Sequence, residues 1–339
     1  MDIAVIRIDP ADEDAIQQAY EIAVVTTAAD LPDLPPPDRD YFFAQVRIPW
    51  PGSETDWLLA RIDGEPAGYA DVGFPMLDNT ENVVFEPAVH PAHRRRGVGR
   101  ALHAHVVRRA RELGRKRIMS FSPKITPGEP SRHAAGTAFA ESVGATSGLI
   151  DVRRRLDLAG VDDAVLDVML AEAWTRADGY SLVRWIDATP EEYLDDVAYL
   201  DGRLVEDAPM GDLVWEPHKV DADRIRATDA ALRQRGRRLY HTGIRHDASG
   251  RLVAWTALSF NPSPDWHAWQ QITIVEPRHR GHRLGTIVKI ENLRYAQSAQ
   301  PGLRIIDTFN AAANDHMISI NEAIGFRPVD AWHNWQQVL

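Results

Sequence analysis

Apolar and polar positions along the chain follow two periods, and the order of those periods repeats. Asn82 to Val89 and Ala268 to Val275 read as strands, and each runs into a basic loop containing glycine. After each loop the apolar positions fall at helical spacing, over about Gly97 to Leu113 and about Arg283 to Ala299, because side chains three and four apart share one helix face. Lys116 to Phe121 and Leu303 to Phe309 then read as strands, followed by helices over Arg132 to Val143 and Ala313 to Ile324. Gly144 and Gly325 come next, where a left-handed residue stops a helix without a Cβ penalty. Ahead of the loops, Asp56 to Ile62 with Ala67 to Gly73, and Leu239 to Arg245 with Leu252 to Phe260, suit hairpins turning at Asp63-Gly64 and Ser249-Gly250.

The two basic loops, Arg94-Arg-Arg-Gly97-Val-Gly99 and Arg280-Gly-His-Arg283-Leu-Gly285, lie about 186 residues apart, a domain-sized repeat. The pattern predicts an α/β chain of α+β character with two tandem domains, each a mixed, mostly antiparallel sheet flanked by helices. The expected division is 1–158, a helical connector at 159–179, and 180–339. Pro35 to Pro37 in the first half, and Pro209 and Pro217 in the second, break helical stretches that would border a cleft if they face the loops.

Composition supports two cores: 339 residues with 44% apolar content exceed what one ordinary core needs. Lys and Arg number 38 against 49 Asp and Glu, a net charge of −11, which disfavours nucleic acid and anionic membranes and mildly favours a cationic small molecule. A nucleic-acid module built on Arg94 to Arg117 runs against that charge. There is no cysteine, so disulfides, thiolate metal sites and cysteine nucleophiles are excluded. His241, His246 and His267 have no ligand spacing, and no metal is expected. Lacking a targeting segment or an apolar run of about 20 residues, the chain reads as soluble and cytoplasmic.

The loops carry the chemistry. Backbone N–H groups at a helix N-terminus attract anions, glycines allow close approach, and arginines add charge suited to a diphosphate. The alternative is a solvated basic turn that merely precedes a surface helix.

Arg94-x-x-Gly97-x-Gly99-x-Ala101 resembles the acyl-CoA diphosphate loop of the GNAT (general-control-related) N-acetyltransferases, and the tandem order is similar to mycothiol synthase and related actinobacterial double-GNAT proteins. Arg280 and Gly285 match in the second copy, with Arg283 at the middle glycine position. The resemblance implies acetyl-CoA contacts from Val89, Arg94, Arg95, Arg96, Gly97, Val98 and Gly99. In the second copy it implies them from Ile274, Val275, Arg280, Gly281, His282, Arg283, Leu284, Gly285 and Thr286. It also implies a strand that splays at Val89 or Val275 to leave backbone groups for the pantetheine arm.

By the same resemblance Asn310 and Asn314 bond the cofactor arm; alternatively they end the strand and open the last helix. Asn321 and Ala140 stand where many members carry a tyrosine acid. Ser122 to Gly128 replaces the Asn pair in the first half, so the C-terminal half is expected to be the catalytic one, with the first possibly degenerate. Asp207, beside Glu206, and Asn321 are its catalytic candidates, with Gln271 and Thr273 facing the acceptor. Trp266, Trp269, Trp332 and Trp335 could wall an aromatic acceptor pocket or simply pack. The expected activity is direct acetyl transfer to the primary amine of a small molecule, by a monomer or homodimer; the alternative is a non-catalytic acyl-CoA sensor.

Overall fold

The computed structural model describes residues 2–124 and 135–339, and the chain divides into two compact units. One holds Met1–Asp151, Met210–Glu216 and Asp330–Leu339; the other holds Val152–Pro209 and Pro217–Val329. The units are therefore interleaved in sequence, unlike the linear division expected at 158 and 180.

The first unit runs β1 (Ile3–Arg7), α1 (Glu13–Asp30), α2 (Arg39–Arg47), β2 (Ser53–Ile62), β3 (Glu65–Pro75), β4 (Asn82–Val89), α3 (Val98–Glu112), β5 (Arg117–Pro123) and α4 (Ala135–Ser142). The expected start of α4 at Arg132 lies outside the described residues. β6 (Thr146–Asp157) gives its residues up to 151 to this unit and the rest to the other. The second unit continues with α5 (Asp163–Trp174), β7 (Tyr180–Ile186), α6 (Leu194–Gly202), α7 (Leu204–Asp207), α8 (Ala222–Gln234), β8 (Arg238–His246) and β9 (Leu252–Phe260). It closes with β10 (His267–Val275), α9 (Leu284–Ala299), β11 (Ile305–Ala311) and α10 (Asp315–Ile324), and β12 (Arg327–Val338) ends the chain.

In the first unit β1 to β4 form an antiparallel meander, β5 joins β4 in parallel, and β12 pairs antiparallel with β5 through Trp332–Val338. That pairing is why the chain's last strand belongs here. Residues 210–216 are held by side chains that act as backbone surrogates: Asn79 exchanges bonds of 2.9 and 2.6 Å with the Glu216 main chain, and Asn82 donates to the Val214 carbonyl at 2.9 Å. Both asparagines are buried, so these bonds offset the desolvation of the Asn79 amide and of the Asn82 NH2, while Asn82 Oδ1 has no partner among the described residues.

Each sheet face carries its own core. Val98, Leu102, Val106 and Ala110, four apart along α3, pack on Val83 and Phe85. On the opposite face α1 and α2 pack Ile16, Phe42 and Phe43 against Trp57 and Leu59. The second unit repeats this plan with β7 to β10 antiparallel and β11 parallel to β10. Its α5, expected as a connector, instead buries Leu166, Leu170 and Ala173 in the same core as Ile287 and Val288 of α9. Among the described residues, no helix is long and apolar enough to cross a membrane, and no cluster of ligating side chains could hold a metal.

Both units share one irregularity that matters for function. β4 and β5 pair only over Asn82–Val84 with Arg117–Met119, although β4 continues to Val89. Likewise β10 and β11 pair only over His267–Trp269 with Ile305–Asp307. Beyond those points the parallel strands part, and each sheet contains a slot.

Candidate active site

Beside the first slot, the loop after β4 places Arg95 and Gly97 at positive φ, 62° and 92°. Alternating backbone handedness turns successive N–H groups toward one space. Gly97 is the N-cap of α3 and no side chain caps that helix, so its first-turn amides have no intrahelical acceptor. A Cβ on Gly99 would lie 3.2 Å from the Phe139 ring, so glycine keeps the mouth open there without displacing that ring.

Strand alternation shows how the slot is served. The His90 N–H bonds the Ala67 carbonyl across β3, so the N–H and C=O of Val89 point the other way, into the slot. The Val89 carbonyl accepts from Arg94 Nε at 3.2 Å, and the same guanidinium makes a two-pronged bond to Asp30, at 2.9 and 2.7 Å. Arg94 is thus a clamp that satisfies the exposed carbonyl, not a free phosphate ligand, and the Val89 N–H is left for a visitor.

A cavity of about 570 Å³ follows this slot through the sheet. On the α3 face it is lined by Gly97, Gly99 and Phe139. On the α1 face it reaches Tyr69, Glu86, Phe121 and Trp332. The faces follow from alternation: Val83 and Phe85 pack on α3, so Glu86 and Ala88 point the opposite way.

Glu86 is exposed, but to the cavity. The surrounding walls desolvate its carboxyl, and the charge of Asp71, its direct cross-strand partner, adds to the effect, so it is pushed up to about 7. Its exposure to the cavity moderates that shift. Burial, then the charges of Glu86 and Asp71, also raise the Tyr69 phenol, whose ring stacks on Trp57.

The second unit keeps the frame and changes the lining. Gly281 and Arg283 take the positive φ values, 88° and 59°, where the first loop has Arg95 and Gly97. The backbone shape therefore survives the exchanged glycine, at a cost of about 1–2 kcal/mol for a non-glycine residue there. Arg280 repeats the clamp: Nε donates to the Val275 carbonyl at 3.3 Å and Nη2 pairs with Asp207 at 2.9 Å. His282 is tied to the Arg176 carbonyl at 2.9 Å, while Leu284 and Thr286 are buried.

The α6 side of this slot is apolar core. Ile272 and Ile274 occupy the register of Glu86 and Ala88, and Trp255 and Ala257 that of Tyr69 and Asp71; all four pack with Trp185 and Leu194. Thr273 bonds Thr256, its neighbour in the sheet, at 2.8 Å. Asp207, read from sequence as a base, has its carboxylate held by Arg280 and by Arg203 at 2.8 Å. Asn314 caps α10 by accepting from the Met317 N–H at 3.3 Å. Asn321 is fully buried and donates to Asn310 at 2.7 Å. Asp207→Asn is accordingly expected to lower stability by about 1–2 kcal/mol, read by denaturant titration, and to leave turnover within about twofold. A loss of turnover without a loss of stability would restore its catalytic assignment.

Sequence reasoning missed Glu86, Tyr69 and Phe121. The signal for Glu86 was present: a lone carboxylate in Val83-Val84-Phe85-Glu86, on a mostly apolar strand, three residues before Val89. Of the four tryptophans considered for an acceptor wall, Trp332 lines the cavity, whereas Trp335 donates to Ser122 at 2.9 Å and is buried.

Residues 17–134 match the Acetyltransferase (GNAT) family. Across 99% of the chain and 98% of its counterpart, the fold superposes on the tandem GNAT protein from the clavulanic acid biosynthesis pathway, with a TM-score of 0.84 and 29% identity. A GCN5-related N-acetyltransferase from Sphaerobacter thermophilus shares the fold at 0.64 and 16% identity, covering 99% and 95% of the two chains. One from Kribbella flavida does so at 0.51 and 13%, covering 99% and 70%. No curated protein matches the sequence.

Proposed function

We propose that the chain is a tandem GNAT acetyltransferase and that its reaction centre is the cavity of the first unit, where acetyl-CoA meets the primary amine of a small molecule. One observation carries the reading. A single cavity joins open helix amides, a free strand N–H and a carboxyl pushed up to about 7, and the matching surface of the second unit is packed apolar core.

The residues fit the donor in size and chemistry. The amides of Gly97, Val98 and Gly99, with Arg95 and Arg96 nearby, would hold its diphosphate. Val98 contributes only main chain, because its side chain is buried under α3. The arm would pass through the slot beside the Val89 N–H, and bound there it supplies the thioester.

The remaining work belongs to Glu86. An ammonium has no lone pair, so the acceptor must lose a proton before it can attack. Glu86 can take that proton, directly or through one water, because its raised carboxyl is a stronger base than an ordinary glutamate while still ionising near neutrality. The Val89 N–H is placed to steady negative charge on the carbonyl oxygen during direct attack in a ternary complex. No tyrosine stands at the expected acid position, so the departing thiolate takes its proton from the acceptor or from water.

The test is thiol release from acetyl-CoA in the presence of primary amines. Amine-dependent release supports the proposal. Tight binding of acetyl-CoA with no release for any amine would leave the sensor reading in its place.

A further inference from the structure

The slot of the first unit holds a second polar group, on the face opposite Glu86. Val84 pairs with Met119 where the parallel strands part, so three further residues along β5 bring Ser122 level with Pro87, one step beyond Glu86. Ile118 packs with Val83 and Phe85 under α3, and by alternation Ser120 and Ser122 share that face while Glu86 faces the other way. A hydroxyl and a carboxyl thus stand on opposite faces at nearly the same depth, and both line the one cavity. The helix that covers the serine is α4, which carries Ala140 in place of a tyrosine acid. Its Gly136 lies so close that a Cβ there would be 2.7 Å from Ser122 Cβ.

The use of the Ser122 oxygen is fixed by a neighbour. An indole N–H can only donate, and that of Trp335 reaches Ser122 Oγ at 2.9 Å. Trp335 is buried, and its strand residue pairs with Ser120, so packing holds the ring in place. Ser122 is therefore the acceptor in this bond. Among the described residues the hydroxyl has no other hydrogen bond, which leaves its own proton without an acceptor. Ser122 is only 6% exposed, and a buried donor of this kind is costly until something accepts from it.

Building on the function proposed above, we infer that Ser122 is a catalytic residue that meets the leaving sulfur, its hydroxyl donating a hydrogen bond as the C–S bond breaks. The acetyl carbon bonds the acceptor nitrogen, the C–S electron pair passes to sulfur, and the first amine proton goes to Glu86. The acceptor's second proton, or one from water, completes the thiol, and the serine keeps its own. Sulfur gains negative charge only during this step, so the donor favours the departing group over the bound thioester.

The experiment compares the full chain with its Ser122→Ala and Trp335→Phe variants and with the two combined. The acceptor is whichever of phenethylamine, n-butylamine, spermidine and glucosamine the unmodified protein acetylates fastest. Ser122→Ala should lower kcat by about ten- to 100-fold, the worth of a hydrogen bond to a charged group, with KM for acetyl-CoA within about twofold. Removing donor and acceptor together relieves the unpaired indole that Ser122→Ala alone leaves behind. If Ser122 only satisfies that indole, the double variant will match Trp335→Phe, and such equality overturns the inference. A catalytic Ser122 puts the double variant about ten- to 100-fold below Trp335→Phe. Coenzyme A alone gives a readout that needs no turnover, because ultraviolet thiolate absorbance follows ionisation of the bound thiol. That thiol should ionise about one pH unit lower in Trp335→Phe than in the double variant. The gap without acetylation of any amine would uphold the sulfur contact and sink the transferase proposal. Turnover with neither the gap nor a difference in kcat would keep the transferase and remove Ser122 from it.

Discussion

Replacing Glu86 by glutamine is expected to lower kcat by about 10²–10⁴-fold, the usual worth of a positioned general base, while acetyl-CoA affinity stays within about twofold. The amide keeps the shape and removes the proton acceptor. In the unmodified protein, kcat should rise with pH through about 7 as Glu86 ionises, and that rise should be absent from the variant. Stability offers an independent check, with the opposite sign. The folded carboxyl is raised above its unfolded value of about 4.3, so the neutral form is favoured on folding. That contribution is complete below about pH 4, and it is lost as pH climbs through the raised value. The melting temperature of the unmodified protein should therefore fall relative to Glu86→Gln across this window. Turnover within threefold of the unmodified protein would remove Glu86 from the mechanism and return the search to the second unit.

Much of this architecture was legible before any coordinates. The strand, basic loop and helix stood out twice because a period of two gave way to a period of 3.6 at the same place, with glycines at the change. The hairpins and the helix-ending Gly325, at φ 120°, follow from local chemistry alone. What stayed hidden was long-range. Nothing local tells Trp332–Val338 to pair with β5, or Asn79 and Asn82 to bond a segment more than a hundred residues away, so the interleaved units could not be read. Contacts within the candidate site were as hidden as the long-range pairings. Arg94 and Arg280 were read as charge for a ligand, yet each is consumed by an aspartate and a strand carbonyl. A sequence lists donors and acceptors without saying which have already met. Asn310, Asn314 and Asn321 stand at the positions the family resemblance points to, and their side chains also serve a helix cap and each other. The proposal of an acceptor face in the first half turns on Glu86 against Ile272, two strand residues whose difference matters only once their shared face is known.

That contrast makes the location of the donor site testable by one substitution in each loop. Gly99→Val is expected to weaken acetyl-CoA binding by at least about 100-fold, roughly 2.7 kcal/mol. The new branched side chain must share space with Phe139, whose ring carbons lie 3.2, 3.4 and 3.6 Å from a Cβ at this position. It would stand at the mouth, where a diphosphate must approach the backbone to hydrogen-bond distance. The fold should not suffer in proportion, because Gly99 sits in the first turn of α3 and gains helix propensity when replaced. Circular dichroism would then show a melting temperature close to that of the unmodified protein, while titration calorimetry shows the lost affinity. Gly285→Val probes the corresponding point of the second loop, where a Cβ has ordinary contact with Ile320 at 3.4 Å and Val275 at 3.8 Å. Should binding vanish there and persist in Gly99→Val, the donor belongs to the second unit, and the catalytic role argued for Glu86 fails with it.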